Sequence, residues 1–121
     1  MERLSMQEEE AMMAVWSSGE ASIKNFLEKF PEPRPPYTTL ASTIRKLESR
    51  GFLESRLVGN TYLYRALVTE EDYKKNFMSG VVKNYFADSY KDLVNFFIRQ
   101  KKLSPKELKE IIDRIEKGSE K

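Results

Sequence analysis

At Gly51 the hydrophobic period of this chain changes from 3.6 to 2, and few folds accommodate what lies on either side. Before it, Leu40, Ile44 and Leu47 recur at i, i+4 and i+7 and line one side of a helix. Pro35-Pro36 cannot continue a helix, so this one starts abruptly, with Thr38 as the expected N-cap. Gly51 stands where a left-handed residue would close it. After Gly51, residues 52–58 and 61–66 are β-type runs separated by Gly59-Asn60, the pattern of a hairpin with a two-residue loop.

Two more helices precede this pair. Ser5 and Glu8 make a capping-box pattern ahead of a helix that should reach about Ser17, with Met12, Val15 and Trp16 facing inward. Glu8, Glu9 and Glu10 suit the positive end of its dipole. Ser22 caps a second helix through Phe30, whose inner residues are Ile23, Phe26, Leu27 and Phe30. Residues 31–36 hold four prolines and read as a stiff connector.

Helix, helix, helix, hairpin is the order of a winged helix-turn-helix, in which the third helix enters a major groove and the hairpin lies beside it. The outer side of that third helix carries Thr39, Ser42, Thr43, Arg45 and Lys46, with no carboxylate among them. Hydroxyls and cations can pair with base edges or phosphates, and short side chains allow close approach. An ordinary amphipathic surface helix has the same apolar spacing, so the pattern alone leaves both readings open.

Composition narrows the function classes. The 121 residues contain no cysteine and no histidine, which removes disulfides, thiolate metal sites, the commonest general base and the commonest metal ligand. Carboxylates, lysines and tyrosines are present, but nothing sets them at catalytic spacing, so the chain is read as a non-enzyme without cofactor or metal. No small-molecule ligand is evident. No apolar run approaches membrane-spanning length and the acidic start does not resemble a signal peptide, which makes the cytoplasm the expected location. The net charge of +2 is unevenly divided: residues 1–30 carry −3 and residues 34–66 carry +4, the footprint of an anionic partner on one face.

From Thr69 the period is helical again. Thr69 with Asp72 three residues on is an N-cap pattern. Tyr73, Phe77, Val81 and Tyr85 mark one apolar stripe. Tyr90, Leu93, Val94, Phe97 and Ile98 mark a second, and Leu103, Leu108, Ile111, Ile112 and Ile115 a third, after a Ser104-Pro105 start. These helices bear more apolar surface than so short a layer can bury alone. Tyr73, Phe77, Val81, Tyr85, Leu93, Phe97, Leu108, Ile111, Ile112 and Ile115 are therefore expected in a dimer interface. The fold expected is mainly α with a small β-hairpin: a winged helix-turn-helix domain at 1–69, then a helical dimerisation domain at 70–121.

Several short motifs now line up. Tyr37-Thr38-Thr39 opens the third helix, Ile44-Arg45-Lys46-Leu47 leads to Arg50-Gly51-Phe52, and the hairpin ends in Tyr62-Leu63-Tyr64. Leu93-Val94 and residues 103–108 follow. In that order and spacing the chain resembles, over nearly its whole length, the penicillinase-repressor family of bacterial winged-helix regulators, the BlaI/MecI type. The resemblance implies a homodimer that blocks transcription from a palindromic double-stranded operator, often of β-lactamase or resistance genes. It also implies a membrane sensor-protease partner that triggers cleavage of the repressor.

Carried over residue by residue, the resemblance gives base contacts to Thr38, Thr39 and Ser42. It gives DNA-backbone contacts to Tyr37, Arg45, Lys46, Arg50, Arg56, Asn60 and Tyr62. Ala41 stands where some members have a long cationic or polar side chain. The family's cleaved Asn–Phe bond has Asn95-Phe96 as its counterpart in neighbourhood, set one residue out of register. The copper-responsive branch of the family uses a C-terminal cysteine cluster, which this chain lacks. The competing reading is a winged-helix protein–protein module with no DNA target.

Overall fold

The computed structural model describes residues 3–118. The element order is α1 (Met6–Ser18), α2 (Ile23–Leu27), α3 (Tyr37–Ser49), β1 (Leu53–Val58), β2 (Thr61–Ala66), α4 (Glu70–Phe86), α5 (Tyr90–Arg99) and α6 (Pro105–Glu116). These fall into two compact units, Met1–Phe77 and Met78–Lys121.

In the first unit the local signals set the element ends. Ser5 and Glu8 form the reciprocal capping box of α1, and Gly19, at φ 75°, closes it by donating to Val15 O at 2.9 Å. α2 is shorter than its apolar pattern implies. Past Leu27 the backbone tightens to i→i−3 bonds, Lys29 to Phe26 and Phe30 to Leu27, before Pro31, which has no N–H to continue the ladder.

α3 starts one residue before the expected cap. Pro36 is the N-cap and supplies no side-chain bond, so Thr38 lies inside the first turn. Its end is a Schellman motif: Gly51 N–H donates to Glu48 O and Phe52 N–H to Leu47 O, both at 3.0 Å, with Gly51 at φ 86°. The hairpin register runs from Leu53 opposite Ala66 to Val58 opposite Thr61, leaving the two-residue loop at Gly59-Asn60. Ala21 forms an isolated antiparallel bridge to β2 by exchanging backbone hydrogen bonds with Tyr64, at 3.2 and 2.8 Å.

The core gathers Ala11, Met12, Val15, Ile23, Phe26, Leu40, Ile44, Leu47, Leu53 and Tyr64, one face from each element. It continues past residue 69 into the first turns of α4. Tyr73 is buried, its hydroxyl accepting from Leu4 N–H at 3.2 Å and donating to Glu9 at 2.6 Å. Its ring lies against Trp16 and Phe77, Trp16 Nε1 donates to Val68 O at 2.9 Å, and the Arg3 guanidinium covers the Phe77 ring. This corrects the expectation that Tyr73 and Phe77 face a second copy. The start of the chain already covers them.

The second unit holds the rest of α4 with α5 and α6. Thr69 caps α4, Ser89 caps α5, and Ser104 with Glu107 forms the capping box of α6 behind Pro105. Val82 is fully buried, and Phe86, Phe96 and Phe97 make edge-on ring contacts at 5.7 and 5.4 Å. Yet neither α5 nor α6 buries a single residue. Val81, Leu93 and Leu108 are half-buried, while Tyr85, Phe97, Ile111, Ile112 and Ile115 are exposed. Among the described residues, no helix is long and apolar enough to cross a membrane.

Candidate nucleic-acid interface

The side of α3 that the core does not use carries Thr38, Ser42, Arg45 and Ser49, all exposed and spaced i, i+4, i+7 and i+11. Tyr37 and Lys46 flank this stripe, and Thr39 is half-buried at its edge. Since Pro36 caps the helix, the Thr38 hydroxyl is not consumed by a capping bond. One expectation for this face needs correction. Thr43 is buried and donates to Thr39 O at 3.1 Å, so it does not reach the outer surface, and Ala41 packs in the core.

The cations behave less uniformly than their number in the sequence implies. Glu8 is 4% exposed, and its Oε1 accepts from Arg50 Nη1 at 2.7 Å and from Ser5 N–H at 2.9 Å. Its Oε2 lies 3.7 Å from Lys46 Nζ. Burial pushes the Glu8 carboxyl up, but the Ser5 backbone, Arg50 and Lys46 outweigh it and hold the group below the ordinary glutamate value. Arg50 is thus turned inward onto α1, so a phosphate would compete for it with the Glu8 carboxylate already in place. Lys46 is mostly exposed and divides its charge between Glu8 and solvent.

The hairpin cations are also engaged. Arg56 binds Glu20 through two hydrogen bonds at 2.8 and 2.9 Å, so its phosphate assignment competes with a carboxylate already in place. Arg65 pairs with Glu54 across the strands, and Arg34 reaches Glu32 at 3.6 Å. Of the six cations in residues 34–66, Arg45 is the one with no ion pair or hydrogen bond among the described residues. It stands in the middle of the exposed stripe.

The hairpin sits against this helix. Ser55 Oγ donates to Glu48 at 2.6 Å, joining β1 to α3. Burial holds the Tyr64 hydroxyl above its usual value, with the Glu48 charge adding and Arg45 opposing, and the hydroxyls of Tyr37 and Tyr62 are also within electrostatic reach. Tyr37, at the start of α3, and Tyr62, on β2, are both exposed. Beside Thr39, a groove of about 710 Å³ runs between α1 and the proline connector, with Met13, Phe30 and Leu40 among its walls. Among the described residues, no group of three or more acidic, cysteine or histidine side chains could hold a metal ion.

An uncapped helix with a hydroxyl-and-cation stripe, beside a hairpin, is the arrangement of a winged-helix DNA reader. Residues 4–117 match the model of the family described as Penicillinase repressor. The chain belongs to the penicillinase repressor family. Among its relatives are proteins named methicillin resistance regulatory protein MecI. The one from Mammaliicoccus sciuri is 26% identical over 109 residues, 89% of each chain. Those from Staphylococcus aureus strain N315 and Staphylococcus epidermidis are 25% identical over the same length and shares.

As a member of a repressor family, this chain is a DNA-binding transcriptional regulator and not a member of an enzyme family. In this penicillinase-repressor chain, Thr38, Ser42 and Arg45 are brought into one exposed row, with Tyr37 and Lys46 at its sides. Asn60 and Tyr62 lie out on the hairpin, exposed. Asn95 and Phe96 fall inside α5, Asn95 half-buried and Phe96 between the rings of Phe86 and Phe97. The residue that sequence reasoning missed is Glu8. Its position in a capping box was visible, but its partners Arg50 and Lys46 are far along the chain.

Proposed function

We propose that this chain represses transcription as a homodimer on a palindromic operator, with the α3 helices of its two copies in successive major grooves where they exclude polymerase. The observation that carries this reading is the exposed Thr38–Ser42–Arg45 row on α3. Hydroxyls there suit base edges, and the unpaired guanidinium suits a phosphate. The dimer is supported by ten exposed large apolar side chains from Met78 onward, more than an isolated surface of this size usually leaves in water. Leu103, Ile111 and Ile115, together with Glu107, Glu110 and Arg114, line a groove of about 440 Å³ along α6. Its place of action is with the bacterial chromosome in the cytoplasm.

The division of roles along α3 has a direct test. Arg45→Ala is expected to weaken binding to all duplexes alike and to reduce the salt slope by about 0.9 for each phosphate that is no longer paired. Ser42→Ala is expected to cost about 1–3 kcal/mol on the operator and little on random sequence. Titrations of both variants at several salt concentrations on both DNAs distinguish them. Equal losses on both DNAs for both variants would refute the assignment.

Inactivation by proteolysis belongs to the same reading. Asn95-Phe96 lies within α5, so cutting there requires local unwinding of that helix and separates α6 from the rest of the chain. The separated α6 would take Ile111, Ile112 and Ile115 with it, and operator affinity would fall. Mass analysis of fragments formed beside a membrane sensor-protease, together with operator binding before and after, checks this. A cut outside α5 would remove the assignment.

A further inference from the structure

The groove of about 710 Å³ between α1 and the proline connector lies wholly within the first unit. Met13 comes to it from α1, Phe30 from the turn after α2, and Leu40 and Thr39 from α3, so no local stretch of sequence marks it. Its far wall is already fixed in place. Arg34 ties the connector to the end of α2, its guanidinium donating to Phe30 O at 3.0 Å and to Glu28 O at 3.3 Å. Met13, by contrast, is 52% exposed, and its unbranched side chain can reshape around an occupant. Two cations, Lys29 and Arg34, stand on the walls against one carboxylate, Glu10. Arg34 is engaged by backbone carbonyls and by Glu32. The Lys29 ammonium has no ion pair or hydrogen bond among the described residues.

Resting on the DNA-binding reading above, we propose that this groove is an effector site for a small carboxylate with an aromatic or branched aliphatic body, and that its occupant releases the operator. The carboxylate is held by Lys29, and the body packs on Met13, Phe30 and Leu40. A concave, mixed wall of this volume suits one small molecule; a second copy needs a broader apolar face, which α5 and α6 already offer. Thr39 couples the groove to the reading face. It lines the groove and also stands at the edge of the exposed row on α3, so an occupant and a base edge compete for it. The start of α3 also depends on the connector, because Pro36 caps it without a side-chain bond. A molecule seated between α1 and the connector therefore bears on the position of that start. Its negative charge acts in the same direction, by repelling nearby phosphates.

The full chain is titrated with phenylbutyrate, and with phenylbutanol, which keeps the body and lacks the charge, while methionine methyl signals are followed by NMR. The Met13 signal is assigned with Met13→Leu. Phenylbutyrate is expected to shift the Met13 methyl and leave that of Met78 in place. It is also expected to lower affinity for the genomic fragment that the protein captures most tightly, read by fluorescence anisotropy, by at least about fivefold. Lys29→Gln, at an exposed position, should weaken phenylbutyrate about fivefold and leave phenylbutanol unaffected, whereas Glu10→Gln should tighten phenylbutyrate. A Met13 methyl unmoved at millimolar phenylbutyrate overturns the proposal. So do equal shifts at Met13 and Met78, or phenylbutanol binding as tightly as phenylbutyrate. A Met13 methyl that moves with protein concentration alone puts a second copy in the groove and overturns it too. Wild-type protein that prefers its captured fragment to random duplex, yet binds it equally with and without phenylbutyrate, removes the effector role. If it prefers neither DNA, the repressor reading fails, and the methyl shifts with their Lys29 dependence still decide the site.

Discussion

Arg50→Ala is expected to lower the unfolding free energy by about 3 kcal/mol while leaving the salt slope of DNA binding nearly unchanged. The reason is the environment of Glu8, whose side chain is 5% exposed and whose Oε1 accepts from Arg50 at 2.7 Å. Removing Arg50 leaves a buried carboxylate with the Ser5 N–H bond and, as its nearest remaining cation, Lys46 at 3.7 Å, itself largely in solvent. Glu8→Gln should cost less, because the amide can keep the bond to Ser5 N–H and Arg50, 22% exposed, can turn toward water. Urea unfolding of both variants measures the asymmetry. An unchanged midpoint with a reduced salt slope in Arg50→Ala would return this residue to the phosphates.

The same pair sets a pH dependence. The folded carboxyl of Glu8 titrates below its ordinary value of 4.5. Its stabilisation is therefore complete above that value and is lost as pH falls through the lower, folded one. Glu8→Gln removes this component, so the variant's stability should fall less steeply on acidification than the wild type's. Parallel acid limbs in the two proteins would show that Glu8 is not the group responsible.

Ile112→Asp is expected to produce a monomer that keeps its helices and melts as a folded protein, with operator affinity reduced by about 10²–10⁴-fold. Ile112 is 53% exposed in the single chain, so an aspartate there meets water and disturbs no internal packing. In a dimer the same carboxylate is desolvated among apolar side chains without a partner, which opposes association. The loss in affinity follows because the second recognition helix no longer binds from an already tethered position. Sedimentation equilibrium and operator titration check the two halves together. A variant that remains dimeric and binds normally would remove α6 from the interface.

The elements of this fold are legible because their signals act over three to five residues. Ser5 with Glu8, Ser22, Thr69, Ser89 and Ser104 all cap the helices that follow them. Gly51 takes positive φ at the end of α3, and Gly59 does so in the hairpin loop. The start of α3 departs from expectation because Thr38 is a better capping residue than Pro36, yet the rigid proline fixes the helix start without a side-chain bond. Thr43 departs from it because a hydroxyl in the middle of a helix can bond its own backbone four residues back and enter the core.

Of the candidate site, the exposure of Thr38, Ser42 and Arg45 was legible, and the burial of Thr43 was not. Which cations face outward depends on carboxylates 42 residues away for Arg50 and 36 for Arg56. The burial of Tyr73 depends on Leu4, 69 residues distant. By itself the sequence determined the order of helices and hairpin, the exposure of Ser42 and Arg45 on α3 and the apolar excess of the last two helices, since each follows from periodicity and local hydrogen bonding. Only the tertiary structure decided which charges are spent inside the protein and which aromatics are already covered. Electrostatic attraction and packing depend on distance in space, and separation along the chain does not reveal it.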